Sequence, residues 1–169
     1  DVPRDTIFKW TEEKGKEVYL TPSGYTDTIP RGGEMGSNGL TLDSDGSLVL
    51  CQCGNRQMAK MDAALDNPKP IYITLAEEYF GKRFNSPNDV VLKSDGSIYF
   101  TDPPYGLPGF FADTRKELDY QGVFLIKGGK VSVVAKDCGG PNGLAFSPDE
   151  KYLYVTNWDI RDIHHTKTI

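Results

Sequence analysis

Three stretches of the chain repeat one pattern at a spacing near fifty residues, and this limits the fold more than any other feature. Asn38 to Cys51 reads NGLTLDSDGSLVLC, Asn88 to Thr101 reads NDVVLKSDGSIYFT, and Asn142 to Thr156 reads NGLAFSPDEKYLYVT. The leading Asn residues are 50 and 54 positions apart, and an Asp follows each by seven: Asp45, Asp95 and Asp149. Asp45-Gly46 and Asp95-Gly96 are tight-turn dipeptides between apolar runs, and Pro148-Asp149-Glu150-Lys151 is a version one residue longer. The flanking runs, such as Val90-Val91-Leu92 and Ile98-Tyr99-Phe100, are apolar at successive positions. A sheet with one wet face would alternate, so these strands are predicted to be buried on both sides.

A second kind of hairpin lies between the first. DTIFKW pairs with EVYLTP, RQMAKMD is followed by PIYITL, and GVFLIKGG turns at Gly128-Gly129 into KVSVVAKD. One period is then four short strands in about 50 residues, the signature of a β-propeller blade. The reading is all-β: outer strands of one blade in 1–30, a second blade in 31–85, a third in 86–138, and inner strands of a fourth in 139–169. That gives 12 strands, about three blades, where propellers close with four or more. The exposed sheet faces this leaves predict either a piece of a longer chain or two copies completing one ring as a homodimer. The start at DVPRDTIFKW, in mid-blade and without a methionine, favours the piece. Helix is predicted only as a short turn over Ala76–Gly81 and a turn or two over Asp113–Tyr120. The Pro-, Gly- and aromatic-rich stretch Pro103–Asp119 reads as an ordered loop over one end of the sheets, where binding sites often sit.

Charge narrows the partners. Lys and Arg number 19 against 24 Asp and Glu, a net charge of −5, which argues against nucleic acid. No apolar run reaches 18 residues, so no membrane-spanning helix is expected. Acidic charge suits cytoplasm or periplasm alike and leaves the compartment open. Cys51, Cys53 and Cys138 lack the second ligand pair of a zinc site; they read as packed thiols, with a Cys53–Cys138 disulfide left open. His164 and His165 sit in a tail that does not continue the strand pattern, and read as non-functional. No nucleophile elbow and no Gly-rich phosphate loop are present.

The blocks GKRFNSPNDVVLKSDGSIYFTDPPYGL and GPNGLAFSPDEKYLYVTN resemble the gluconolactonase group of the senescence-marker-protein (regucalcin)-like family, and the resemblance runs from about Asp1 to Trp158. It implies a six-bladed propeller, of which this chain is about half, and metal-dependent hydrolysis of a sugar lactone. It also implies a divalent cation on the ring axis, Ca²⁺ or alternatively Zn²⁺, Mg²⁺ or Mn²⁺, held by a Glu, two Asn and an Asp. The two Asn match Asn88 and Asn142. The Glu of the family's EGP motif and the later Asp, often the general base, have no counterpart in 1–169, so the catalytic residue is expected outside this chain. Where the family commonly has His, this chain has Cys53.

Equal repeat position predicts that the leading Asn side chains share one height at the mouth of a central channel. An amide oxygen is a hard donor suited to Ca²⁺, but two neutral amides make a poor cage alone. The substrate contacts expected are Asp89, beside Asn88; Asn38, at the same repeat position; and Tyr105, on the long loop with Phe110 and Phe111. Asp102, at a strand end before two prolines, reads as a loop cap, and Asp45, Asp95 and Asp149 as turn residues. The rival reading is a non-catalytic propeller scaffold or carbohydrate-binding module, in which the missing ligands are a real loss.

Overall fold

The computed structural model describes residues 1–158 and the strand Thr166–Thr168. The strands, in chain order, are β1 (Ile7–Thr11), β2 (Gly15–Leu20), β3 (Ser37–Leu42), β4 (Leu48–Gln52), β5 (Gln57–Met61), β6 (Tyr72–Ala76), β7 (Glu78–Tyr79), β8 (Lys82–Arg83), β9 (Val90–Leu92), β10 (Ile98–Asp102), β11 (Gly122–Lys127), β12 (Lys130–Ala135), β13 (Pro141–Phe146), β14 (Tyr152–Asn157) and β15 (Thr166–Thr168). They form antiparallel sheets in sequence order: β1-β2, then β3-β4-β5-β6, then β9-β10-β11-β12, then β13-β14-β15, with β7-β8 as a minor hairpin. Each repeat hairpin and each second hairpin read from the sequence is present. The last sheet carries one strand more than expected, since β15 pairs with β14.

The repeat turns are alike in backbone. Gly46 and Gly96 take positive φ, 77° and 81°, and Glu150 takes the same left-handed position at 53° in the longer turn. The side chain that braces the turn differs. Asp43 accepts the N–H groups of Asp45 and Ser47, whereas Asp95 accepts that of Ser97 and pairs with Lys127.

The unbroken apolar runs have a simple cause. On β4, Leu48 and Leu50 pack with Ile7 and Leu20 of the first sheet. Val49 and Cys51 point the other way, into a cluster with Phe84 and with Val90, Phe100 and Phe124 of the third. On β11, Phe124 and Ile126 join that cluster, while Val123 joins Leu144 and Leu153 of the last sheet. Alternate residues of a strand serve opposite faces, so a sheet sandwiched between two others must be apolar at every position. The last sheet has a neighbour on one side among the described residues, and β14 alternates between buried and exposed positions, with Tyr152 and Tyr154 outward.

The helical expectation over Ala76–Gly81 is corrected. Glu78–Tyr79 and Lys82–Arg83 make a minimal hairpin, turning at Phe80 and Gly81, both with positive φ. The helix propensity of Ala-Glu-Glu loses because Tyr79 is drawn onto Phe124, ring centroids 5.5 Å apart. Asp113–Tyr120 contains no helix; a single 3-10 turn, Phe110–Ala112, precedes it.

Phe84, Phe100 and Phe124 meet with centroids 5.0 to 5.5 Å apart and are fully buried. Phe100→Ala is therefore expected to cost about 3–5 kcal/mol, seen as a lower urea midpoint. Tyr154→Ala, on an outward face, should move it far less.

Candidate functional site

The segment that delivers Asn88 is anchored by a buried carboxylate. Asp102, at the end of β10, accepts the N–H groups of Asn85 and Ser86, each at 2.7 Å. The Asn85 carboxamide returns to the main-chain oxygens of Asp102 and Tyr120. Burial pushes the Asp102 carboxyl up to about 7, against the two N–H donors and the charges of Arg56 and Lys116, which favour ionisation. Asp102 thus serves the loop, as its place in the sequence suggested.

Three sheets are tied together at the ends of their first strands, one tie coming from the neighbouring β10. The Gly39 N–H donates to the Asn88 main-chain oxygen (2.7 Å), the Leu144 N–H donates to Asp89 Oδ2 (2.7 Å), and the Thr101 hydroxyl donates to the Asn142 main-chain oxygen (2.8 Å). The approach is close enough that a Cβ on Gly39 would lie 2.7 Å from the Asp89 Cα. Gly39 is required by contact with its neighbour, not by a turn.

The ties bring the leading amides together. Asn38 Nδ2 donates to Asn88 Oδ1 at 2.5 Å, and Asn88 Nδ2 donates to Asn142 Oδ1 at 2.7 Å. All three line a cavity of about 280 Å³, walled by Tyr105, Phe110 and Trp158 and rimmed by Glu34. The Tyr105 hydroxyl donates to the Gly140 main-chain oxygen, and its ring meets Trp158 edge-on at 5.6 Å. Of the expected site residues, Asn38, Asn88, Asn142 and Tyr105 share this cavity. Asp89 lies outside its lining, occupied with Leu144 and packed on Gly39. Glu34 and Trp158 were not anticipated. The available signal for Glu34 was position: it lies in the approach to β3, as Phe84–Pro87 lies in the approach to β9.

The cysteines are buried thiols without a disulfide, so the Cys53–Cys138 pairing is not formed. Cys53 donates to the Pro87 main-chain oxygen, and burial pushes its thiol up to about 12, leaving it neutral near pH 7. His164 and His165 lie outside the described residues.

A larger cavity of about 640 Å³ is bordered by Arg31, Arg56, Arg83 and Arg115. These side chains are engaged with loop carbonyls: Arg31 with Glu34, Cys53 and Gly106, Arg56 with Phe84, Arg83 with Asn55, and Arg115 with Arg31. The asparagine cavity is the better candidate, because side chains from three sheets converge on it. Its donor set suits part of a hard-cation site. Asn88 and Asn142 each bring an amide oxygen with a second lone pair beyond the one its neighbour uses. Among the described residues no group of three or more His, Cys, Asp or Glu is placed to hold a metal.

Residues 1–167 match the family described as SMP-30/Gluconolactonase/LRE-like region. A gluconolactonase from Zymomonas mobilis is 41% identical over 162 residues, 94% of this chain but 44% of that protein. A solved gluconolactonase from Xanthomonas campestris is 29% identical with a TM-score of 0.74, covering 99% of this chain and 56% of that one. A virginiamycin B lyase from Staphylococcus aureus, 15% identical at a TM-score of 0.56, shares the fold alone. The chain thus spans about half the length of these relatives.

The Asp102 carboxyl sets a pH dependence. Its folded-state value, about 7, lies above the ordinary aspartate range, so the folded chain holds this proton more tightly than the unfolded chain. Its contribution to stability is largest below about pH 4 and declines as pH rises through 7. Denaturation midpoints measured from pH 4.5 to 8 should show this decline in the wild type. The decline should shrink in Asp102→Asn, which starts about 1–3 kcal/mol lower because one N–H donor loses its acceptor.

Proposed function

Because the chain belongs to the SMP-30/gluconolactonase/LRE-like family, we propose that it forms about half of a six-bladed propeller, acting as a metal-dependent hydrolase of a sugar lactone. The observation that carries this reading is the convergence of Asn38, Asn88 and Asn142 from three successive sheets onto one aromatic-walled cavity. The 41% identity to a protein named gluconolactonase points to the same chemistry. In this reading the sheets are blades with the boundaries set out above, and their first strands line the ring axis. Exposed Trp10 and Val18 on the first sheet, and Tyr152 and Tyr154 on the last, mark faces against which the remaining blades would pack.

Asn88 and Asn142 would hold a divalent cation, Ca²⁺ in the first instance. Such an ion polarises a lactone carbonyl and stabilises the charge that develops on its oxygen. The work of this chain is positioning. Asp102 fixes the approach to Asn88, the ties between first strands fix Asn142 beside it, and Asn38 fixes the Asn88 amide plane by donating to its oxygen. Tyr105, Phe110 and Trp158 provide an aromatic wall beside the asparagines. The remaining ligands, a Glu and an Asp with the Asp as general base, are assigned to the rest of the ring. Asn38 is retained as a substrate contact in the assembled site, with Tyr105 beside it, whereas Asp89, outside the cavity lining and accepting from Leu144, is assigned to positioning Asn142 instead of the expected substrate contact.

The test is lactone turnover by the full-length protein, with and without chelator. Activity should disappear on chelation and return with Ca²⁺, and Asn88→Ala should lower kcat/KM by about a hundredfold or more. Turnover that is unaffected by both treatments would refute the reading. A protein that binds saccharides without turnover would be the carbohydrate-binding module instead. Residues 1–169 alone should bind Ca²⁺ more weakly than micromolar in calorimetry, because two neutral amides supply only part of the required oxygens.

A further inference from the structure

The asparagine cavity contains one carboxylate that the proposed reaction does not use. Glu34 lines it with the three asparagines, and among the described residues no side chain pairs with or donates to its carboxylate. The nearby cation, Arg31, is spent on main-chain oxygens, including that of Glu34 itself.

The backbone around Glu34 is held with unusual closeness. Gly33, at φ 79°, lies so near the Gly106 carbonyl that an added Cβ would sit 2.4 Å from its oxygen. Gly36 packs against Val2 less tightly but still inside ordinary contact, its would-be Cβ 2.7 Å from the Val2 oxygen, and its N–H donates to that same oxygen. Two glycine contacts and the Arg31 clamp therefore bracket Glu34 within three residues. A surface glutamate with no partner needs no such fixing; a ligand-facing one does.

The chemistry of the lining says what such a carboxylate would meet. The cavity combines one free carboxylate, three carboxamides and aromatic faces, and none of its lining residues is cationic. A carboxylate between amides accepts hydrogen bonds from neighbouring hydroxyls, and an aromatic wall covers the C–H face of a saturated ring. A ring lacking hydroxyls would leave the carboxylate desolvated and unmatched. We propose that Glu34 is a specificity-determining residue of this cavity, accepting hydroxyl hydrogen bonds and so selecting polyhydroxylated lactones over unsubstituted ones. The proposal rests on the lactonase reading for its reaction, and on the geometry of Glu34 for its ligand.

The experiment compares the full-length wild type with Glu34→Gln, using glucono-δ-lactone and δ-valerolactone. Losing a charge-assisted hydrogen bond should lower kcat/KM for the hydroxylated lactone at least tenfold more than for the plain one, chiefly through KM. An unchanged ratio between the two substrates overturns the proposal. If the wild type hydrolyses neither lactone, the lactonase reading has failed, and Glu34 is then judged by calorimetry with 1,5-anhydroglucitol, a neutral hydroxylated ring without a scissile bond. Weaker binding by Glu34→Gln supports the assignment; equal affinity, or no binding by either protein, defeats it. A Ca²⁺ affinity that falls in Glu34→Gln would make Glu34 a metal ligand and overturn the proposal as well.

Discussion

Everything at the candidate site depends on how neighbouring first strands are joined. Ladder pairing holds each sheet together but says nothing about the next sheet. The joints between sheets are a few polar contacts: Gly39 N–H to the Asn88 carbonyl, Leu144 N–H to the Asp89 carboxylate, and the Thr101 hydroxyl to the Asn142 carbonyl. Apolar packing elsewhere is non-directional and would tolerate small slips between sheets. A carboxylate that accepts one particular N–H would not. Asp89 therefore acts as a register pin, and the heights of Asn88 and Asn142 follow from it.

Around this joint the loops are supported from behind by charge. Each arginine bordering the larger cavity donates to a carbonyl oxygen of an irregular segment, and Arg115 and Arg56 also pair with Asp113 and Glu117. Loops between sheets cannot satisfy their carbonyls in a ladder, and a guanidinium with five donors can serve several at once. Arg31 spans three segments in this way. Desolvation lowers its proton affinity, and the neighbouring Arg115 lowers it further, so the arrangement costs electrostatic energy and returns fixed loop geometry.

Much of this architecture was written plainly in the sequence. Asp-Gly and Pro-Asp turns at a fixed distance from an Asn identify hairpins, and apolar runs without alternation identify sheets buried on both sides. The convergence of Asn38, Asn88 and Asn142 followed from equal position in the repeat. What escaped notice depended on contacts between distant segments. Glu34 gains its place through Gly33 meeting Gly106 and Arg31 meeting Cys53, pairings that no local pattern reveals. Trp158 joins the cavity wall through Tyr105, more than fifty residues earlier. Local propensity favours a helix over Ala76–Gly81, and it is overridden by the aromatic cluster that pulls Tyr79 into a strand.

The row of carboxamides also has a direction. Each amide nitrogen points onward along the chain order, Asn38 to Asn88 to Asn142, so the group dipoles add head to tail. Such a series ends in a spare oxygen on Asn38 and a spare N–H pair on Asn142. Whatever group meets the spare N–H pair of Asn142 must be an acceptor, and whatever meets the spare oxygen of Asn38 must be a donor or a cation. The vector sense of three small dipoles thereby dictates the chemical sign of their neighbours on either hand.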